Sequence, residues 1–442
     1  MFRSAFVLTV LSVTFGSVSV QSGTPKEMEV SAPNTLEQTI YYGGDIITME
    51  GDKPTYVESV MERDGKIIYA GKKSGAVNNF AGKTIEVNLN GKTMLPGLIE
   101  PHVHPSIAAT LLSGDIVAPH DWQVPEGLKK GVEGHDAYIK RLKESIAKNG
   151  NENEVLFIWG YHPLWHGDLN REILNTISPD VAVGIIHRSF HEIYINDKAL
   201  ALFDIEEDDF KDNPQVEWDK GHFYEGGWLA LVPKIAPKLI NPDKYKRGLE
   251  DMTTLIRKNG ITTIAEQGFP TSNFNMEYNL LKYEMAKNPP YAVYNVLNGT
   301  QLYGMLGSNE KAWEFMETAA GKYDTKNIFM LPKQVKLYAD GAIYSLAMQM
   351  EDGYSDGFEG QWMTPLALFE QQMNFYWDKG YKINIHANGD LGIQRCLDIA
   401  EKMMKRNPRK NHRLTLHHMG YFTDEQADQI QQLGIEASAN PY

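Results

Sequence analysis

The sequence predicts an α/β protein whose parallel strands form a (β/α)8-type barrel, preceded by a small unit of β-strands. From residue 95 onward, apolar stretches of strand length alternate with polar loops and with helical stretches such as 244–259 and 365–380, which is typical of a parallel sheet. Polar and ionisable residues collect at the C-terminal ends of these stretches, where barrels carry their functional groups. No Gly-x-Gly-x-x-Gly motif opens a helix, which argues against a doubly wound sheet.

Residues 1–22 have the pattern of a secretory signal peptide. One cation, Arg3, precedes an apolar stretch that ends in small residues, with Ser17 and Ser19 placed as a cleavage site requires. A membrane anchor is the alternative, but the stretch is shorter than the roughly 20 residues that span a bilayer. We therefore expect an exported protein, periplasmic or secreted, with no stable membrane span after cleavage.

Residues 38–94 alternate short β-type runs with turns and predict a separate β unit. Asp64-Gly65 is a hairpin signal between two apolar runs, and Asn90-Gly91 marks a second turn. Residues 95–442 form the predicted barrel domain. After the first strand, its apolar stretches are EVLFIWGY, VAVGIIHRS, GITTIAEQG, YAVYNVLNG, KQVKLYADG, YKINIHANGD and RLTLHHMG.

The negative net charge of the chain argues against polyanionic binding partners. The formal net charge is −14, from 57 acidic and 43 basic residues, and a chain of this charge without a basic run repels a phosphate backbone. Nucleic acid is therefore not expected, whereas a small-molecule substrate is, and the sequence is compatible with a homo-oligomer. Cys396, the single cysteine, falls in a helical apolar pattern and is expected to pack as a small hydrophobic residue.

Histidines at the ends of three predicted strands suggest a metal site. His102 and His104 are two residues apart, so they point to the same face of a strand and can reach one position. His386 ends a second strand, while His417 and His418 end a third, where a regular strand would direct them to opposite faces. A lone His-x-His is often an ordinary pair of turn residues, so the interpretation depends on the whole set.

Lys336 lies in an apolar strand between Val335 and Leu337. A buried, unpaired ammonium is costly, so this lysine must either reach solvent or meet an anion. One explanation is an ordinary lysine that pairs with Asp340. The other is reaction of the neutral amine with carbon dioxide, which gives a carbamate able to bridge two metal ions.

Six segments occur in the order, and at roughly the separations, seen in the amidohydrolase superfamily. They are DGKIIYAG, MLPGLIEPHVH, FHEIYIND, VKLYADGA, HANGD and LHHMG. Over residues 38–442 the sequence thus resembles this superfamily, and the lysine strand and HANGD point to its YtcJ-like branch.

The resemblance implies a metal-bound TIM barrel beside a composite β-sandwich, to which 38–94 contributes, hydrolysing amide or related C–N bonds in N-acyl or formamide-like substrates. It implies metal ligands at His102 and His104 on strand one, a carboxylated, bridging Lys336 on strand four, His386 on strand five and His418 on strand six, with His417 as the alternative to His418. Lys336 and His386 would also act in catalysis. Zinc fits this donor set best, in one or two ions, with manganese, nickel or iron as alternatives.

Other polar residues near strand ends are weaker candidates for the substrate pocket. They are Tyr161, His162, His166, His187, Arg188 and His191, with Trp159, Trp165 and Trp228 as an aromatic wall or as core. His191 and Asn196 correspond to a recurring segment of the family, and His191 is predicted to bind substrate.

The sequence departs from the family after His418. Only residues 419–442 follow, so the barrel is expected to be incomplete, with strands seven and eight lacking or partial and without the strand-eight aspartate. We expect a C-terminally truncated hydrolase. The alternative is a non-catalytic descendant, either a metal-binding pseudoenzyme or an extracytoplasmic binding protein, and Glu225 and Asp340 are the substitute bases if the chain is active as it stands.

Overall fold

A computed structural model describes residues 37–80, 82–239, 241–355 and 357–439. The predicted signal peptide at 1–22 lies outside these residues. The chain divides into two compact units, with the boundary in sequence between Pro96 and Gly97. Within the described ranges, no helix combines the length and the apolar character needed to cross a membrane.

The described residues of the N-terminal unit form one four-stranded sheet and one helix. Its elements are β1 (Glu37–Ile47), β2 (Tyr56–Arg63), β3 (Lys66–Gly71), α1 (Lys73–Asn79) and β4 (Lys83–Asn88), in the sheet order β3-β2-β1-β4. The predicted hairpin joins β2 to β3 through Asp64 and Gly65, both with positive φ, as a tight two-residue turn requires. Among residues 37–80 and 82–96, the second sheet of a sandwich is not found.

The larger unit contains most of the helices and strands. In chain order they are β5 (Leu98–Val103), α2 (Pro105–Ser113), β6 (Asp115–Ile116), β7 (Trp122–Val124), β8 (Gly127–Lys129), α3 (His135–Asn149), β9 (Leu156–Tyr161), α4 (Pro163–His166), α5 (Arg171–Ile177), β10 (Val183–His187), β11 (Glu192–Ile195), α6 (Asp197–Phe203), β12 (Val216–Glu217), β13 (His222–Tyr224), α7 (Gly226–Leu239), α8 (Pro242–Lys258), β14 (Ile261–Phe269), α9 (Phe274–Met285), β15 (Ala292–Asn298), α10 (Gly299–Leu306), α11 (Asn309–Lys322), β16 (Ile328–Tyr338), α12 (Leu366–Asp378), β17 (Lys382–Ala387), α13 (Asp390–Arg406), β18 (Thr415–His418), α14 (Asp424–Leu433) and β19 (Glu436–Ala439). Short 3₁₀ helices lie at Glu207–Asp209, Trp218–Lys220 and Ile343–Ser345.

A seven-stranded parallel sheet, the barrel sheet, forms the framework of this unit. Its order is β19-β18-β17-β16-β15-β14-β5, and every neighbouring pair is parallel. Central strands such as β17 are buried on both faces, because helices cover them in the way that βαβ connections dictate, whereas the edge strands β5 and β19 are largely exposed. This curled α/β sheet agrees with the predicted class of fold, and β19 adds a short seventh strand.

A second sheet is inserted in the sequence between β5 and β14. Its order is β12-β13-β11-β10-β9-β6, and it combines parallel and antiparallel pairs. The prediction that EVLFIWGY and VAVGIIHRS are barrel strands is therefore wrong, since they form β9 and β10 of this inserted sheet. An apolar run shows that a strand is buried on both faces, but it does not show which sheet the strand joins.

Helix α13, which follows β17, contains Cys396 and begins at Asp390. Cys396 is fully buried in α13, as expected. The N-cap of this helix is Gly389 rather than Asp390, which occupies the first helical position and accepts hydrogen bonds from the backbone N–H groups of Glu351 and Leu391. Asp390 therefore stabilises a loop in addition to the start of the helix.

Candidate metal centre at the end of the barrel sheet

A cavity of about 270 Å³ lies where the carboxyl ends of the barrel strands meet residues of the inserted sheet. Its lining includes the six residues that the sequence predicted for the site, namely His102, His104, His191, Lys336, His386 and His418. Five of them lie at or near the carboxyl ends of β5, β16, β17 and β18, whereas His191 immediately precedes β11. Parallel strands end at one edge of a sheet, which explains how residues far apart in sequence come together.

The two histidines of the first barrel strand lie at its end. His102 is within β5, and His104 is the N-cap of α2, which starts with Pro105. Their ring centroids are 5.2 Å apart. Proline at the first helical position lacks only an N–H that would be unpaired there anyway, so Pro105 fixes the point at which the strand ends and the helix begins. The pKa of His102 lies far below its ordinary value, mainly because the ring is buried and secondly because Lys336 is nearby.

Lys336 is 1% exposed, so it does not reach solvent. Among the described residues its Nζ has no hydrogen-bond partner, and it lies 5.5 Å from the ring centroid of Tyr338. Burial lowers the pKa of this lysine to about 7. The alternative of a lysine that reaches solvent and pairs with Asp340 is therefore wrong.

Asp340 has different partners. Its carboxylate accepts hydrogen bonds from the backbone N–H groups of Gln349 at 2.9 Å and of Asn388 and Gly389 at 2.8 Å. Burial raises its pKa to about 7, although these donors favour the charged form. Asp340 is not among the residues that line the cavity, so its position is that of a loop anchor rather than of a substitute base.

His386 and His418 approach each other from neighbouring strands, with ring centroids 4.4 Å apart. Nε2 of His386 lies 2.9 Å from the Asn388 amide. Burial lowers the pKa of both histidines well below the ordinary value. At pH 7 both rings are therefore neutral, which is the form that binds cations.

His417 and His418 do not follow the geometry of a regular strand. His418 has φ of 74° and Met419 has φ of 51°, so the chain turns at the end of β18. Both rings consequently approach His102, at 5.0 Å and 4.8 Å between centroids. Of the two, His418 lines the cavity, while Nε2 of His417 lies 3.3 Å from Oδ1 of Asn384.

His191 enters the cavity from the inserted sheet. Its Nδ1 lies 2.8 Å from Oε2 of Glu225, a buried carboxylate, and its ring stacks on His386 at 5.5 Å. Burial opposes a charge on His191, but the carboxylate holds its pKa above the ordinary value. Glu225 has φ of 43° and also lines the cavity.

Glu266 is a residue of the site that sequence reasoning did not single out. It lies in β14, is 1% exposed, and its Oε1 accepts a hydrogen bond from Nδ1 of His104 at 2.6 Å. Burial raises its pKa, and His104 opposes that rise. The available signal was an acidic residue near the end of the apolar stretch GITTIAEQG, the same kind of signal that drew attention to Lys336.

The chemistry of these donors fits a divalent cation. Within the described ranges, no three His, Cys, Asp or Glu side chains are arranged to hold a metal ion as they stand. Four enclosed polar atoms of this cluster nevertheless lack any partner among the described residues: Nδ1 of His102, Nδ1 of His417, Oε2 of Glu266 and Nζ of Lys336. Buried polar groups are normally paired, so their convergence points to a charged group that belongs there.

The weaker candidates have mostly structural contacts. Asn196 caps α6 and also bonds the backbone of Val183 and Val181, so it stabilises the inserted sheet. Trp159 belongs to the apolar core of that sheet, whereas Trp228 lines the cavity. The other candidates do not line the cavity: Tyr161, His162, His166, His187, Arg188 and Trp165.

The curled parallel sheet, with polar residues gathered at its strand ends, fits an α/β barrel. The profile described as the amidohydrolase family matches residues 86–442. The chain belongs to this family, in its YtcJ-like group, and family membership supports a hydrolase in general terms.

Known proteins of similar sequence come from plants and bacteria. The protein LONG AFTER FAR-RED 3 of Arabidopsis thaliana is 24% identical over 416 residues, which cover 90% of this chain and 67% of the plant protein. A Bacillus subtilis protein that carries the amidohydrolase name YtcJ is 22% identical over 430 residues, which cover 92% of this chain and 73% of that protein.

One solved structure of similar fold is an uncharacterised metal-dependent hydrolase from Pyrococcus horikoshii. It superposes with a TM-score of 0.64 at 18% identity, over 91% of this chain and 74% of the other. This likeness establishes the shared fold.

Proposed function

We propose that this chain is a metal-dependent hydrolase that cleaves amide or related C–N bonds in small N-acyl or formamide-like substrates. The observation that carries the proposal is the convergence of four histidines and one buried lysine on a single cavity at the carboxyl ends of parallel strands. These side chains do not stabilise the fold by packing, since each buried polar atom without a partner lowers the stability of the folded chain. A bound cation, coordinated jointly by these side chains, would explain why they are gathered here.

His102, His104, His386 and His418 would hold the cation, for which zinc is the first choice. Lys336 would be carboxylated: its neutral amine adds to carbon dioxide, a C–N bond forms and one proton is released. The product is a carbamate anion in place of an amine without a partner, and a bound cation would offset the cost of burying that charge. A bound cation of this kind lowers the pKa of a water molecule towards neutrality and polarises a substrate carbonyl.

Two buried carboxylates, Glu266 and Glu225, would each orient one histidine of the site. Glu266 accepts a hydrogen bond from Nδ1–H of His104, which leaves Nε2 of that ring with its lone pair for the cavity. Glu225 does the same for His191, whose remaining ring nitrogen can then contact a polar group of the substrate. We therefore assign His191 to substrate binding and Glu225 to the orientation of its ring.

The test is hydrolysis by the full chain, loaded with zinc in bicarbonate buffer, of a panel of N-acyl amino acids and N-substituted formamides. We expect turnover by the wild type and no detectable turnover by His386→Asn. His412→Asn is the matched control, because His412 is equally buried but bonds to the carbonyl of Leu433 away from the cavity. Zinc binding without turnover of any substrate would instead favour a non-catalytic binding protein.

A further inference from the structure

A second pocket of about 80 Å³, the side pocket, adjoins the cavity of the metal centre. Both spaces are lined by Ile107, Phe190, Trp228, Leu229 and Thr271. Because the two spaces share these lining residues, they lie side by side around the same side chains.

The walls of the side pocket are largely apolar. Trp228, Leu229 and Val232 come from α7, and Ile107 comes from α2. Ile186 of β10 is 3% exposed, and both it and Val232 line the side pocket without lining the metal end. This division means that the side pocket can be reshaped without touching the cluster of histidines and lysine.

Glu277, at the border of the side pocket, already accepts several hydrogen bonds. Glu277 accepts hydrogen bonds from the hydroxyl of Ser106 at 2.6 Å and from the backbone N–H groups of Thr271 at 3.0 Å, Ser272 at 2.6 Å and Asn273 at 2.8 Å. A polar substituent would lose its water among these apolar walls, and an anionic one would also lie beside the carboxylate of Glu277, whose donors are already engaged.

We propose that the substrate carries an uncharged apolar substituent, a short alkyl chain or a single ring, that occupies the side pocket while its amide lies at the metal end. The inference rests on the proposed function, which it extends by naming the class of substrate. The pocket's small volume sets an upper limit on the substituent, and its apolar walls set the preference.

The first experiment measures kcat/KM of the zinc-loaded chain for N-methyl-, N-ethyl-, N-propyl-, N-butyl- and N-benzylformamide, with N-(carboxymethyl)formamide as the charged comparison. Burial of one methylene contributes about 0.8 kcal/mol, so kcat/KM should rise about fourfold per carbon until the pocket is full. The charged compound should react more slowly than the propyl compound. Equal values across the alkyl series would overturn the inference.

Variants at Val232 test the location of the substituent. Val232→Phe should lower kcat/KM for the butyl and benzyl compounds about tenfold or more and leave the methyl compound unchanged, because only the side pocket is filled. Val232→Ala should move the optimum to a longer chain, which tests the pocket even if the larger side chain prevents folding. Ala230→Phe is the control, since Ala230 is exposed on the same helix. Unaltered chain-length profiles in Val232→Ala would contradict the location.

Calorimetric binding of the same formamides separates this inference from the proposed function. If no compound is hydrolysed but affinity still rises about fourfold per methylene and Val232→Phe abolishes that rise, the hydrolase proposal fails and the side pocket stands. If the amides are hydrolysed but neither rate nor affinity depends on chain length, the hydrolase proposal stands and the side pocket inference fails.

Discussion

Glu266 and His104 form a hydrogen bond of 2.6 Å that joins β14 to the residue just after the end of β5. The carboxylate is buried, and its second oxygen has no partner among the described residues. A carboxylate in this position selects the tautomer of the histidine and fixes the orientation of its ring. It thereby determines which ring nitrogen of His104 is available to a cation.

Replacement of Glu266 by Gln should weaken the binding of zinc by about 10- to 100-fold, the usual effect of losing a carboxylate that orients a metal-binding histidine. The change keeps the shape of the side chain and removes its charge. The measurement is competition for zinc with a chelator of known affinity. Glu284→Gln is the control, because Glu284 is also buried but bonds Thr253 and Lys287. Unchanged affinity in Glu266→Gln would show that His104 needs no such partner.

Removal of His102 and His104 together should abolish stoichiometric metal binding. Two ligands of the cluster are lost, while the remaining fold is retained, since neither ring belongs to the apolar core of the barrel. Elemental analysis after extensive dialysis of the double alanine variant measures the effect, with circular dichroism as the check on folding. A folded variant that retains its metal would place the centre elsewhere.

Lys336→Met should stabilise the metal-free chain and abolish hydrolysis. The substitution replaces a buried amine that lacks a partner within the described ranges with an apolar side chain of similar length. The free energy of unfolding in urea should rise by about 1–3 kcal/mol. Lys333→Met, on the same strand but paired with Glu317, should not stabilise. A destabilised Lys336→Met would mean that the amine has a stabilising partner in the folded chain.

Lys336→Ala tests carboxylation of the lysine directly. If a carbamate on this residue serves the metal centre, the alanine variant should be inactive, and short carboxylic acids such as propionate should restore part of the activity by occupying the space left. The rates of the variant with and without added acid are compared under conditions of equal zinc content. Full activity without any added acid would remove Lys336 from the site.

His222 should make stability depend on pH at a place remote from the metal centre. Burial alone would lower the pKa of His222, but its hydrogen bonds to Glu192 at 2.8 Å and Glu217 at 2.9 Å raise it. A raised pKa gives stability that is complete below the unfolded value of about 6.5 and is lost as the pH rises through the folded value. The hydrogen bond from His222 also lowers the pKa of Glu217 to about 2. The stability that the Glu217 carboxylate contributes is therefore lost only as the pH falls from about 4.5 towards 2.

His222→Gln should therefore lower the free energy of unfolding by about 2 kcal/mol near pH 6, and the difference from wild type should shrink at alkaline pH. Thermal unfolding across pH 5–9 measures it, with the exposed His120→Gln as control. A difference that grows with pH would reverse the assigned direction of the pKa shift.

The candidate site was more predictable from sequence than the arrangement of sheets. His102, His104, His386 and His418 each end a predicted strand, and the rule that parallel strands end at one edge is enough to bring them together. The membership of β9 and β10 in a separate sheet could not be predicted, because an apolar run carries no information about its neighbours in space. Glu266 was missed for a related reason: its role depends on a contact with His104, which is 162 positions away in the chain.

The inserted sheet also affects the order in which the chain folds. Strands β14 to β19 each pair with the next strand in sequence, so they can assemble through connections of modest length. Strand β5 pairs with β14 only across the whole insertion, with Leu98 opposite Ile261, and closing so long a loop is entropically unfavourable until the insertion is compact. We therefore expect His102 and His104 to join the barrel sheet late, so that a metal ion captured before that step would meet His386 and His418 without them.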